Sequence, residues 1–295
     1  MACFHPLEAW RGRAGGPAVF SKPVDYPAIR LDLPCGQCIG CRLERSRQWA
    51  VRMMHEASLH LDNCFVTFTY APEHLPRDLS LNKRHFQLFM KRLRKRCGKV
   101  RFFHCGEYGE TTGRPHYHAI LFGFDFPDKV FYSGDGENRV YTSELLDELW
   151  GFGECKIGSV TFESCAYVAR YILKKVTGDA AEQHYLRCDE FGEAFSITPE
   201  YVTMSRRPGI AYEWFRKFGN EVFPSDEVIS RGHAVRPPRY YDNLLELAEP
   251  SVFDSVKRKR IVDISKHAED LTPERLRSRE ACAKARASFS KRTVD

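Results

Sequence analysis

The strongest constraint on how this chain can fold is the order in which its apolar periodicities change between residues 64 and 175. "CFVTFTY" (64–70) reads as a strand and stops at Ala71-Pro72. "SLNKRHFQLFMKRLRKRCG" then repeats at helical spacing. Phe86, Phe89, Met90 and Leu93 form its apolar stripe, Ser80 or Asn82 its cap and Gly98 its stop. Two further strands, "VRFFHC" (100–105) and "HYHAILFG" (116–123), precede a loop over 124–141. A short helix "SELLDELW" (143–150), a strand "CKIGSVTF" (155–162) and a helix "SCAYVARYILKK" (164–175) complete the run. Strand, helix, strand, strand, helix, strand predicts an α+β chain with a ferredoxin-like split βαβ antiparallel sheet, to which the last helix is an addition.

Around that centre the sequence predicts a helix over 41–61, a strand at "YVTMS" (201–205) and a loop then helix in "SRRPGIAYEWFRKFG". Residues 1–34, rich in Gly and Pro, read as irregular. The expected division is an N-terminal segment 1–42, a main domain 43–224 and a basic C-terminal extension 225–295 that is helical or partly disordered. No stretch matches a phosphate-binding GxxxxGK[ST] loop, so no motor domain is visible.

In a strand, residues two apart face the same way, so His116 and His118 share one face of the sheet. Glu107 borders the preceding strand and a short hairpin would return it beside them; Glu110 is the alternative third ligand. One carboxylate and two neutral imidazoles suit Mg²⁺ or Mn²⁺ with open positions for water and phosphate oxygen. A His-x-His pair alone carries little weight, because such pairs also arise as ordinary strand residues.

The helix at 164–175 adds to it. Tyr167 and Tyr171, four apart, stack on one helical face, and Lys174 and Lys175 continue the stripe. Two tyrosines could serve as amphipathic packing, but cations on the same side fit that poorly. A phenol, with an ordinary pKa of about 10, attacks well only beside a cation and a polarised electrophile.

Charge points to a polyanion. Residues 41–101 hold 14 basic against 5 acidic side chains, and residues 251–295 hold 12 against 7. Solvated helix faces would give the same runs. The basic helix at 83–96, Thr67 and Thr69, Phe102 and Phe103, and Arg206 and Arg207 are the candidate DNA contacts. Cys35, Cys38 and Cys41, in "PCGQCIGC", have CxxC spacing, and Cys3 or His5 could complete a tetrahedron around a structural Zn²⁺. An iron–sulfur cluster or three reduced thiols are the alternatives. No apolar run approaches the roughly 20 residues of a membrane span, and the N-terminus lacks a secretory pattern, so the expected location is a cytoplasm.

These motifs resemble a known family. "HYH" and "YVARYILKK" look like the histidine pair and twin tyrosines of HUH endonucleases. "PCGQCIGCRLERSRQWAVR", "CGEYGETTGRPHYHAILFG", "YVARYILKK" and "MSRRPGI" together resemble the replication initiators of microviruses, in the gokushovirus branch of single-stranded DNA phages. The likeness covers most of residues 1–220, with Tyr117 as an aromatic departure at the centre of the motif. It implies rolling-circle initiation in the cytoplasm of a bacterial host. The protein would bind the origin of replicative-form DNA and nick a locally single-stranded site. It would form a 5′-phosphotyrosyl link and later religate to release a single-stranded circle. Metal would sit on Glu107, His116 and His118, and Tyr167 and Tyr171 would alternate as nucleophiles beside Lys174 and Lys175. A host helicase and polymerase would be partners. Plasmid-type initiators, relaxases and transposases share these motifs, and a non-catalytic, zinc-organised origin-binding protein is the reading from another class.

Overall fold

The computed structural model describes residues 3–12, 16–170, 175, 176, 178, 180–188 and 191–289. Along the chain come β1 (Leu7–Gly12), β2 (Ala28–Leu33), α1 (Ile39–Ala57), β3 (Asn63–Phe68), α2 (Lys83–Cys97), β4 (Arg101–Tyr108) and β5 (Pro115–Phe122). Then follow β6 (Val130–Ser133), β7 (Val140–Thr142), α3 (Glu144–Trp150), β8 (Cys155–Gly158), α4 (Phe162–Arg170), α5 (Ala180–Tyr185), β9 (Leu186–Cys188) and β10 (Ala194–Ser196). The remainder is β11 (Tyr201–Met204), α6 (Tyr212–Ser225), β12 (Val228–Ser230), β13 (His233–Val235), α7 (Arg239–Ala248), α8 (Pro250–Ser265) and α9 (Pro273–Phe289). Two compact units divide the chain: residues 46–245, and residues 1–45 with 246–295.

The larger unit is built on a seven-stranded antiparallel sheet in the order β11-β4-β5-β3-β8-β7-β6. Its central strands β8-β3-β5-β4 are the fourth, first, third and second of the expected run, which is the split βαβ arrangement. The edge strand β11 at Tyr201–Met204 and the helix after "SRRPG" also agree with the sequence. The loop expected at 124–141 instead contains the hairpin β6–β7. Its alternating "VFYS" and "VYT" are short, and the Gly- and Asp-rich stretch between them hides them.

Helix boundaries follow their caps. The Asn82 side chain accepts from the Arg84 N–H at 2.9 Å, and Gly98 ends α2 at φ 81°. Ser143 caps α3 by accepting from the Leu146 N–H at 3.0 Å, and left-handed Gly151 ends it.

Strand register gives the sheet two distinct faces. One face is apolar: Cys64, Val66 and Phe68, Tyr117, Ala119 and Leu121, and Cys155 and Ile157 pack on Phe86, Phe89, Met90 and Leu93 of α2 and Leu146, Leu149 and Trp150 of α3. Each such side chain contributes about 1.5–3 kcal/mol on burial. Trp150, the largest of them, gives its indole N–H to the Thr69 carbonyl at 2.8 Å, so its polar atom is satisfied. The other face carries Phe65 and Thr67, Phe103, Cys105 and Glu107, His116, His118 and Ile120, and Lys156. Helices α1 and α4 cover part of it: Trp49 meets Phe103 at 5.0 Å between ring centroids, and the Ser46 hydroxyl donates to the Ala166 carbonyl at 3.0 Å.

In the smaller unit, residues 1–34 are not irregular as expected: β1 and β2 pair antiparallel, Leu7 opposite Leu33 and Trp10 opposite Arg30. The alternation in "LEAWRG" and "AIRLDL" is real, but Gly and Pro in the long connection obscure it. The basic C-terminal residues of this unit form α8 and α9. Among its described residues the buried apolar side chains are few: Cys3, Ala9, Cys38, Phe253, Val256 and Leu276. No described helix is long and apolar enough to cross a membrane.

Candidate active site

β4 and β5 run antiparallel with Glu107 directly opposite His116 and Cys105 opposite His118. The expected strand ended at 105, but β4 continues to Tyr108, so Glu107 is a strand residue on the face of the histidines. Gly106 makes this possible. A Cβ there would stand 3.0–3.1 Å from Leu81, Tyr201 and Tyr117, so only glycine lets β4 lie flat over that packing while Glu107 projects from the opposite side. Tyr117, between the histidines, points into the core and is fully buried. Its hydroxyl meets that of Tyr70 at 2.8 Å and accepts from the Asn82 N–H at 2.9 Å, tying β5 to the start of α2.

The nitrogen and oxygen atoms that Glu107, His116 and His118 would offer all lie within 4.8 Å of one another. Glu107 Oε1 is 2.8 Å from Nε2 of both histidines. The carboxylate and His118 are almost wholly buried, whereas the His116 side chain is 22% exposed and forms the open side of the cluster. Burial alone would raise the Glu107 carboxyl, but the hydrogen bonds of His116 and His118 outweigh it and hold it at about 2.

Second contacts orient each ring. His116 Nδ1 faces the Arg114 carbonyl at 3.2 Å, an acceptor, so the proton is assigned to Nδ1 and Nε2 is the atom presented to Glu107. His118 Nδ1 lies 3.0 Å from the Thr67 hydroxyl on the neighbouring strand. A carboxylate and two imidazoles turned on one point need positive charge between them, and a divalent cation supplies it. The donor set therefore fits a metal. Glu110, the alternative third ligand, is exposed in the β4–β5 turn and is not one of the three.

Tyr167 stands at this site. Its ring centroid is 5.1 Å from that of His118 and 6.3 Å from that of Phe65, edge-on to both. α4 buries Cys165, Val168 and Ala169, leaving Tyr167 half-buried on the flank toward the histidines. Tyr171 and Lys174 lie outside the described residues. Lys175 is described, exposed and not helical. The expected helix to 175 therefore does not reach its end, because the Val176 N–H donates to the Tyr185 hydroxyl at 2.9 Å rather than back into a helix.

The other DNA-contact candidates fare unevenly. Phe103 is fully buried, and Phe102 packs on Phe86 at 5.3 Å, so neither ring is free to stack on a base. Basic helix α2 lies on the apolar face, opposite the triad. Its Arg92 donates to the Leu149 and Trp150 carbonyls and its Arg94 to that of Val100. Arg206 and Arg207 are exposed in a loop held from within, where Arg101 donates to the Pro208 and Gly209 carbonyls and to Glu56. The sequence reading missed the roles of the Arg114 carbonyl and the Thr67 hydroxyl beside the histidines. Thr67 becomes visible only once β3 is known to lie next to β5.

In the smaller unit, the four sulfurs of Cys3, Cys35, Cys38 and Cys41 lie within 4.8 Å of one another, and those of Cys3 and Cys38 are 4.0 Å apart. Sulfurs at about 2.3 Å from a tetrahedral ion would stand roughly 3.8 Å apart. Backbone N–H groups of Phe4 and Cys41 point at Cys38 Sγ, that of Cys35 at Cys3 Sγ and that of Cys38 at Cys35 Sγ, at 3.3–3.5 Å. Burial works against a thiolate at Cys38, yet those amides hold it down at about 6. His5, the alternative fourth ligand, instead pairs with Glu280 at 2.8 Å. The residues present fit a metal here as well.

Comparison with known proteins agrees with the motifs. The family model for replication-associated proteins of the ORF2 type matches residues 63–176. Replication-associated protein VP4 of Bdellovibrio phage phiMH2K is 33% identical over 267 residues, 85% of this chain and 79% of that protein. Replication-associated protein ORF2 of Spiroplasma virus 4 is 30% identical over 88% of this chain and 86% of its own. Replication-associated protein ORF4 of Chlamydia phage 1 is 31% identical over 80% of this chain and 60% of its own. No solved structure matches the chain significantly. With this coverage added to the histidine pair and the split βαβ sheet, the chain belongs to the replication-associated proteins of microvirus-type phages.

Proposed function

We propose that the protein initiates rolling-circle replication by nicking and rejoining one strand of phage DNA at its origin. The observation that carries this reading is the phenol of Tyr167 beside His118, with Glu107 and His116 completing a cation-binding set on the same face. Mg²⁺ or Mn²⁺ would be held by Glu107, His116 and His118 and would supply polarisation of the scissile phosphate and of its developing charge. The sheet fixes the three donors, and Thr67 and the Arg114 carbonyl fix the ring orientations. Tyr167 loses its phenolic proton to solvent and its oxygen attacks phosphorus. The O–P bond forms as the bond to the 3′ oxygen breaks, and that oxygen takes a proton to become a free 3′-hydroxyl. The phosphotyrosyl ester conserves the energy of the broken bond, so rejoining needs no nucleotide. Tyr171 is assigned the second cleavage after one circuit, and Lys174 and Lys175 the steadying of phosphate charge. Host helicase and polymerase supply unwinding and extension.

For Cys3, Cys35, Cys38 and Cys41 we propose structural Zn²⁺. Four thiolate donors with N–H groups aimed at sulfur are the set zinc takes, and the surrounding unit has little apolar core of its own.

The nicking reading is tested with an end-labelled origin oligonucleotide and Mn²⁺ on a denaturing gel. Wild type should form a covalent adduct, and Tyr167→Phe combined with Tyr171→Phe should form none. An adduct that survives the double substitution refutes the assignment of the nucleophiles.

A further inference from the structure

The face that carries the triad continues beyond it. Lys156 of β8 stands opposite Thr67 of β3, which stands opposite His118 of β5, so the three form one row across the sheet. At about 4.8 Å between strands, the Lys156 backbone is roughly 10 Å from that of His118. The hairpin β6–β7 extends the sheet past β8 to its edge. Its register is irregular between Phe131 and Ser133, and an irregularity of this kind re-aims the residue within it, here Tyr132.

The Lys156 ammonium lies 3.8 Å from the centroid of the Tyr132 ring. Phe131, by contrast, stands opposite Tyr141, which stands opposite Ile157 of the apolar face, so Phe131 belongs to that other side. All four residues of β6 are exposed, Tyr132 at 61%. Glu154 reaches Lys156 at 3.6 Å but is itself 83% exposed, and such a pair is too weak to hold the ammonium from a phosphate.

We propose that Tyr132 and Lys156 form a landing for single-stranded DNA flanking the scissile phosphate, with a base stacked on the outer face of Tyr132 and Lys156 meeting the backbone. The occupant follows from charge and continuity. An exposed ring backed by a cation is what binds a strand without regard to sequence, and this one lies in the row of the triad. At about 3.4 Å per stacked nucleotide the separation corresponds to roughly three nucleotides. The identity of the DNA rests on the nicking reading, but binding is measured apart from it.

The test is fluorescence anisotropy of the full chain with labelled oligo-dT of about 20 nucleotides, within a few site sizes of such a groove. Tyr132→Ala should weaken binding about fivefold or more, Tyr132→Phe should bind as wild type, and Lys156→Gln should reduce the salt slope by about one. Phe131→Ala, on the other side of the hairpin, should change affinity less than about twofold, since its ring makes no part of the stack. Wild-type affinity in both Tyr132→Ala and Lys156→Gln, or an equal loss in Phe131→Ala, overturns the proposal. The Mn²⁺ adduct assay on the same proteins keeps the two readings apart. No adduct with wild type, alongside weakened binding in the variants, refutes nicking and retains the landing. A normal adduct with unchanged affinity refutes the landing alone.

Discussion

Replacing Thr67 by valine removes one hydroxyl from the wall of the triad and keeps its shape. That hydroxyl lies 3.0 Å from Nδ1 of His118, whose side chain is 5% exposed. A hydrogen bond to a buried group contributes about 1–3 kcal/mol when one partner is removed, which corresponds to roughly 5- to 150-fold in a binding constant. Groups that orient a metal-binding histidine typically account for about 10- to 100-fold in affinity. Thr67 is itself half-buried, so water can replace part of the lost contact, and the expected effect falls near the low end, about tenfold. The assay is a calorimetric Mn²⁺ titration of wild type, Thr67→Val, Thr67→Ser and His118→Ala. Serine restores the hydroxyl and should restore affinity, while His118→Ala should lose measurable binding. Valine binding Mn²⁺ like wild type, with alanine at 118 still disabling, would show that the hydroxyl does not orient the ring. Serine failing as badly as valine would show that the methyl group, not the hydrogen bond, is what matters.

Two further outcomes follow from groups outside the triad. His55 is stacked on Trp214 at 3.6 Å between centroids and bonded to the Tyr241 hydroxyl, and burial lowers its pKa from 6.5 to about 4. The unfolded chain therefore binds the extra proton first, and stability should fall as pH drops from about 6.5 to 4 by up to roughly 3 kcal/mol at 1.36 kcal/mol per pH unit. Urea melts across that range should show a flatter acid limb for His55→Gln, and an unchanged limb would rule His55 out. Purified protein should carry about one equivalent of zinc, lost in Cys35→Ser with a lower melting temperature; bound iron, or no metal with unaltered melting, would defeat the zinc assignment.

The split βαβ centre was legible because each element has an unambiguous period and a visible stop: Asn82 and Gly98 bracket α2, and Phe86, Phe89, Met90 and Leu93 all bury as their spacing predicts. The hairpin β6–β7 was not. Its strands run four and three residues, too short for alternation to stand out, and they are held by neighbours rather than by their own pattern. The pairing of β1 with β2 was hidden for the same reason. At the site, Glu107, His116 and His118 could be found from spacing, because a hairpin returns i to a definite partner and the strand period fixes the side. Thr67, Lys156 and Tyr132 could not, because each depends on which strand neighbours which, and that information is carried by contacts distant in sequence.

The order of strands also explains why a single residue between the histidines can be large without disturbing them. Tyr117 faces the opposite way, into packing shared with Tyr70, Leu81 and Trp150, and its hydroxyl ties β5 to α2. The core thus holds the strand by the residue between the two ligands, and the ligands need only short contacts of their own to Thr67 and Arg114. A substitution at 117 should therefore act on the triad through strand position rather than through any donor atom. Tyr117→Phe keeps the ring but removes the hydroxyl bonded to Tyr70 and Asn82, at a cost of about 1–3 kcal/mol for the buried partners it leaves. Thermal unfolding should register that loss, while Mn²⁺ affinity measured well below the transition should stay within about twofold of wild type, since no ligand orientation depends on that hydroxyl. A large fall in Mn²⁺ affinity with unchanged unfolding would contradict the division of labour between the two faces of the sheet.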